Sequence, residues 1–163
     1  MTGNITSATS DRPEECGVAT ADHERTSTMT HPKAQLLQAA YDGFARGDLE
    51  PLMGALTDDI AWEDSTLGPL AGNYAGKEEV LSLFGRMMEV YGGTLELEVI
   101  DILANDDRGV VLTREQGTTR GEHAEWTGVH LWEFREDQCA RYTAYADAGY
   151  QRFWSERARS GER

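Results

Sequence analysis

Beyond His31-Pro32 the apolar residues recur with a helical period. Leu36, Leu37, Ala40, Tyr41 and Phe44 fall on one side of a 3.6-residue spiral. Proline is tolerated in a first helical turn, Gly47 stops the helix, and Asp48 can cap a second one carrying Leu49, Leu52, Met53 and Leu56. Ile60-Ala61-Trp62-Glu63-Asp64 reads as a short strand, and the breaker-rich run from Ser65 to Asn73 as a loop. A third helix is expected from about Lys77 to Tyr91, with Val80, Leu83, Phe84, Met87 and Met88 on one side and Gly92-Gly93 at its end. From Thr94 the period becomes two. Strands are expected over Thr94–Leu103, Val110–Thr119, Ala124–Arg135 and Cys139–Asp147, separated by Asn105–Gly109, Arg120–Glu122 and Glu136–Gln138 as turns. Tyr150–Arg157 reads as a short closing helix or a frayed end. Helices first and antiparallel strands after is an α+β pattern, with the helices on one side of a meander.

Composition sets the limits of that domain. Residues 1–31 are rich in Thr, Ser, Asp and Glu and hold few large apolar side chains, so they read as a disordered tail before a domain at 32–155 and a C-terminal tail at 156–163. The net charge of −14 disfavours nucleic acid and anionic membrane as partners, because both need Lys and Arg. Cys16 and Cys139 lie far apart with no Cys/His cluster around either, which fits a reducing compartment. The chain shows neither an apolar run of membrane-spanning length nor a basic start with an apolar core at its N-terminus, so the expectation is a cytoplasmic protein.

Strand periodicity sorts the candidate chemistry by face. Trp126, Gly128, His130, Trp132 and Phe134 share one face of their strand. Thr113, Glu115 and Gly117 share another, as do Trp62 and Asp64 on the first strand. On the last strand Arg141, Thr143, Tyr145 and Asp147 alternate with Tyr142, Ala144 and Ala146. Aromatic rings beside a few titratable groups are the usual make-up of a pocket for an apolar small molecule. Val129, Leu131, Tyr142 and Ala144 read as an apolar outer face and so as a homodimer surface. His23, His31, His123 and His130 form no i, i+4 pair, and no phosphate loop, nucleophile elbow or dinucleotide fingerprint occurs; neither metal nor cofactor is expected.

Several motifs carry a resemblance: Arg46-Gly47-Asp48-Leu49, the stretch Leu56–Asp64, Gly72–Lys77, His130–Arg135 and Tyr145-Ala146-Asp147. In this order they resemble the SnoaL-like polyketide cyclases and ketosteroid isomerases of the nuclear transport factor 2-like superfamily, over about residues 33–154. The resemblance implies a cone of three helices on a strongly bent antiparallel sheet, with a pocket in its mouth and dimerisation through the outer sheet face. It also implies proton-transfer chemistry without a cofactor: isomerisation, cyclisation or epoxide opening on a polyketide- or steroid-like substrate. The same fold also serves as a non-catalytic binding or dimerisation module.

Site roles follow from the resemblance residue by residue. Asp64 stands where the isomerases keep a general base; the competing reading is a cap on the Ser65-Thr66 loop. His130 takes the place of their oxyanion aspartate, and with Asp147 it resembles the cyclase pair, Asp147 orienting His130 or acting as acid/base. His130 satisfied within the core is the competing reading. Ala40 occupies the place of the isomerase tyrosine and Tyr41 lies one step round the helix. Glu115 is either a pocket residue or the partner of an arginine such as Arg141. Trp62, Trp126, Trp132, Phe134 and Tyr145 shape the pocket, with Tyr41 and Tyr145 as hydroxyl donors.

Overall fold

The computed structural model describes residues 31–159; the N-terminal tail lies outside the described residues. Helix α1 (Pro32–Ala45) starts where the His31 side chain accepts the Lys33 N–H at 3.2 Å, and it buries Ala34, Leu37, Ala40 and Tyr41. Gly47, at φ +75°, supplies the left-handed turn that α1 needs to stop. The short α2 (Glu50–Ala55) follows, its first turn held by the Asp48 carboxylate on the Glu50 N–H. Strand β1 (Leu56–Asp64) starts four residues before the pattern placed it.

The breaker-rich loop then yields a strand, β2 (Gly72–Ala75), which pairs with β1 from Ala61 to Asp64. Four residues beside two glycines are too few to show a period, so this strand is made by its neighbour and not by its own pattern. Helix α3 (Gly76–Tyr91) buries Val80, Leu83 and Phe84 and ends on Gly92 at φ +57°. The remaining strands are β3 (Glu96–Ala104), β4 (Arg108–Thr119), β5 (Glu122–Arg135) and β6 (Gln138–Ala146). A real helix, α4 (Ala148–Arg159), closes the described chain and takes in four residues assigned above to a C-terminal tail.

The six strands form one curved, unclosed sheet in the order β2-β1-β6-β5-β4-β3. β3 to β6 make the expected antiparallel meander. β1 departs from it, joining the β6 edge in parallel with Trp62 opposite Tyr142 and Asp64 opposite Ala144. The register shifts between Glu133 and Phe134 and between Val99 and Asp101, irregularities of the kind that bend a sheet. Leu37, Leu56, Ile60, Val80, Leu83, Val111 and Trp132 fill the space between the helices and the concave face.

Lys33 fastens one end of this core. Its buried ammonium donates to the Glu136 carbonyl and to Asp137 at 3.0 Å, and lies 5.2 Å from the centre of the Phe134 ring. Phe134 therefore packs beneath α1 and not in the pocket, contrary to the expectation from its strand face; the register shift at Glu133 separates it from His130 and Trp132.

Candidate active site

A cavity of about 100 Å³ lies between α1, α3 and the concave face. Asp64, His130, Tyr41, Trp62, Glu115, Trp126, Trp132 and Tyr145 line it; Asp147 and Phe134 do not. The β4–β5 register sets one wall. Val111 lies opposite His130, Thr113 opposite Gly128 and Glu115 opposite Trp126, so all six face the cavity side together.

On that wall the polar atoms form one continuous chain. The His130 Nε2 lies 3.1 Å from Glu115 Oε1, and the other oxygen of Glu115 accepts the Trp126 indole N–H at 3.1 Å. Thr113 donates its hydroxyl to Oε1 at 2.6 Å. His130 Nδ1 lies 2.7 Å from the Tyr41 hydroxyl, which accepts the Trp132 indole N–H at 3.1 Å. Burial pushes the Glu115 pKa up, but the hydrogen bond and charge of His130, then Thr113 and Trp126, outweigh it and hold the carboxyl below its ordinary range. An ionised Glu115 only accepts, so Nε2 carries a hydrogen. In neutral His130, Nδ1 then accepts from Tyr41, whose own oxygen accepts from Trp132, and every group is satisfied. Burial keeps the Tyr41 phenol protonated.

Gly128 makes this arrangement possible. A β-carbon there would lie 2.4 Å from Glu115 Oε1 and 2.4 Å from Thr113 Oγ1. Glu115 thus reaches His130 across the bare backbone of Gly128. It does not pair with Arg141, which is exposed, as the arginine-partner expectation had it.

The other wall is built by β1 and β6. Trp62 stacks on Tyr142 with ring centres 3.8 Å apart, and Trp62 meets Trp132 edge-on at 5.6 Å. Tyr142 and Ala144 were expected on the outer face. Pairing of His130 with Ala144 and Trp132 with Tyr142 instead turns them toward the cavity, and turns Thr143 away. Asp64 faces the cavity beside them. Its Oδ1 accepts the Thr66 N–H at 3.0 Å and the Thr66 hydroxyl at 2.5 Å, so it also caps the loop.

Asp147 belongs elsewhere. Its Oδ1 accepts from the Gly149 and Tyr150 N–H groups at 2.8 and 3.1 Å, and its Oδ2 from Thr127 at 2.8 Å, which starts α4 and ties it to β5. Burial raises its pKa, but those three backbone donors and Arg152 outweigh it and lower it. Asp147 therefore does not orient His130; Glu115 and Tyr41 do. α4 in turn brings Tyr150 to the cavity, its hydroxyl 3.3 Å from that of Tyr91. The periodicity reading missed Tyr142, Tyr91 and Tyr150. Apolar alternation of Tyr142, Ala144 and Ala146 was the available signal for the first. Among the described residues no three His, Cys, Asp or Glu side chains converge as a metal site.

The model of the SnoaL-like domain matches residues 37–142. The chain belongs to the SnoaL-like domain family. This SnoaL-like domain has the nuclear transport factor 2-like fold, as its structural neighbours do. Bal32a, from a soil-derived mobile gene cassette, is 21% identical with a TM-score of 0.70, over 76% of this chain and 96% of its own. TerC, co-crystallised with polyporic acid, is 25% identical with a TM-score of 0.64, over 71% and 92%. A nuclear transport factor 2-like protein of Burkholderia pseudomallei K96243 is 23% identical with a TM-score of 0.67, over 78% and 95%. No curated protein matches the chain. Among the described residues, no helix of the SnoaL-like domain is long and apolar enough to cross a membrane.

Proposed function

We propose that the protein is an enzyme whose own side chains perform acid/base catalysis on an apolar, carbonyl- or epoxide-bearing small molecule of polyketide or steroid type. The products are those of isomerisation, ring closure or ring opening. The observation that carries this reading is the buried chain Trp132–Tyr41–His130–Glu115 along one wall of an aromatic cavity. Such a chain holds and moves a proton at a defined atom.

Asp64 is the base in this scheme. Its Oδ1 holds Thr66, and its Oδ2 has no hydrogen-bond partner among the described residues, so that oxygen is free to take a proton from the carbon beside a carbonyl. Both ring nitrogens of His130 are engaged by the protein, so His130 acts through Tyr41. When His130 takes a proton from solvent, its Nδ1–H donates to the Tyr41 oxygen, and the Tyr41 hydroxyl keeps its own proton and turns it to donate a hydrogen bond to the substrate oxygen. Glu115 stabilises the resulting imidazolium.

Exchange of the benzylic protons of 1-phenylpropan-2-one in D₂O, followed by NMR, tests the scheme. Acceleration over buffer is expected, with Asp64→Asn at least about a hundredfold slower. Asparagine keeps an acceptor oxygen for Thr66. Undiminished exchange in that variant would overturn the assignment of Asp64. A second reading, a ligand-holding module without chemistry, is favoured by the loop-capping role of Asp64, and no acceleration by the wild type would select it. The TerC crystal with polyporic acid supports a small-molecule ligand under either reading. A homodimer through the outer sheet face is part of the same proposal, resting on Val129 and Leu131; light scattering at roughly tens of micromolar that finds a monomer would remove it.

A further inference from the structure

A buried polar atom left without a partner is costly, so a cavity's unpaired polar atoms outline the ligand that completes them. Around this cavity most are paired. Tyr41, His130, Glu115, Trp132 and Trp126 satisfy one another, and the hydroxyls of Tyr91 and Tyr150 meet at 3.3 Å. Besides the open Asp64 oxygen, the exception among the buried hydroxyls is Tyr142. It is 5% exposed and lines the cavity, its ring is fixed against Trp62, and its hydroxyl has no hydrogen-bond partner among the described residues. Nor is that hydroxyl among the atoms sealed off from any space.

Its position is also telling. Tyr142 lies opposite Trp132 on β5 and opposite Trp62 on β1, between the His130 chain and Asp64. Asp64 is two positions further along β1 on the same face, which ordinary sheet spacing puts about 8 Å away between Cα atoms.

We propose that Tyr142 donates the hydrogen bond that holds the oxygen of a neutral, carbonyl-bearing apolar ligand. Burial, and then the nearby Tyr41, Glu115 and Asp64, push its pKa up, so the hydroxyl keeps its proton and donates. The ligand is neutral because the lining carries Asp64 and Glu115 and neither Lys nor Arg; a carboxylate would be stripped of water there with no countercharge. The inference rests on the cavity being the ligand site, not on any turnover by Asp64 or His130.

The test is a binding titration, followed by NMR, with acetophenone, ethylbenzene and benzoate. Acetophenone and ethylbenzene differ in the oxygen alone among their polar atoms. In the wild type acetophenone should bind about three- to tenfold tighter than ethylbenzene, the weight of one neutral hydrogen bond. Benzoate should bind more weakly than acetophenone. Tyr142→Phe preserves the stack on Trp62 and should bind both aromatics equally, with the bound carbonyl ¹³C resonance moving to the position of an unbonded ketone. Asp64→Asn should retain the preference, so loss of exchange in that variant and loss of the preference in Tyr142→Phe report separate failures. The proposal is overturned by a wild type with no preference for the ketone. It is overturned equally by an undiminished preference or an unmoved ¹³C resonance in Tyr142→Phe, or by benzoate binding tightest.

Discussion

On the β4–β5 wall of the cavity each polar group has a protein partner: Glu115 accepts from three donors, and both nitrogens of His130 are taken. On the β1–β6 wall, a few ångströms of sheet away, the Tyr142 hydroxyl and one oxygen of Asp64 are left open. Both walls are aromatic and both are held by strand pairing, so the contrast is one of use. A satisfied network fixes its members in place and holds protonation states apart. An unsatisfied pair of groups is held in readiness for something that is not protein. The two walls divide rigidity from recognition, and substitutions should separate them.

Glu115→Ala should have the largest effect, destabilising the fold by about 3 kcal/mol in urea titration, because it leaves His130, Thr113 and Trp126 unpaired in the interior. The pH dependence follows the same residue. Its carboxyl is held below the ordinary value of 4.5, so its stabilisation is complete at neutral pH and is lost as pH falls through the lowered folded-state value. Glu115→Gln should flatten that acid limb of the stability curve. Gly128→Ala comes next, at about 2 kcal/mol from overpacking, and it should move the ring ¹⁵N resonances of His130 at neutral pH by pushing Glu115 aside. Asp147→Ala should cost about 1 kcal/mol as a lost helix cap, with acetophenone binding unchanged. Tyr142→Phe should change stability by less than about 0.5 kcal/mol, since no protein bond is lost. A large loss there would erase the distinction between the walls.

Much of the fold was legible because it rests on long, strongly periodic segments: α1, α3 and the β3–β6 meander. Its exceptions have local causes. β2 is a four-residue strand imposed by β1, and α4 has only Tyr150, Phe153 and Trp154 as large apolar side chains, held by the Asp147 cap and by the ion pair of Arg157 with Glu122. For the site, alternation along β5 placed Trp126, His130 and Trp132 on one wall. The same alternation on β6 was read in the wrong phase, because Asp147 drew the titratable residues inward. A strand-end aspartate beside Ala148-Gly149 is equally a helix cap, and only the cross-strand register of Trp132 with Tyr142 decides between them. Tyr41 sits on the same buried side of α1 as Leu37 and Ala40, and its long side chain reaches His130 although it lies one step from the position the family comparison named.

The parallel pairing of β1 with β6 also orders events in time. β1 is made early in synthesis, yet apart from the short β2 its partner is the last strand of the sheet. Closing so long a loop is slow relative to forming the β3–β4 and β4–β5 hairpins. The wall bearing His130 and Glu115 can therefore form from neighbouring strands while Trp62 and Asp64 still wait for Tyr142. Until Gln138–Ala146 has left the ribosome, the nascent chain carries one edge of β1 unpaired, a surface open to aggregation and to chaperones.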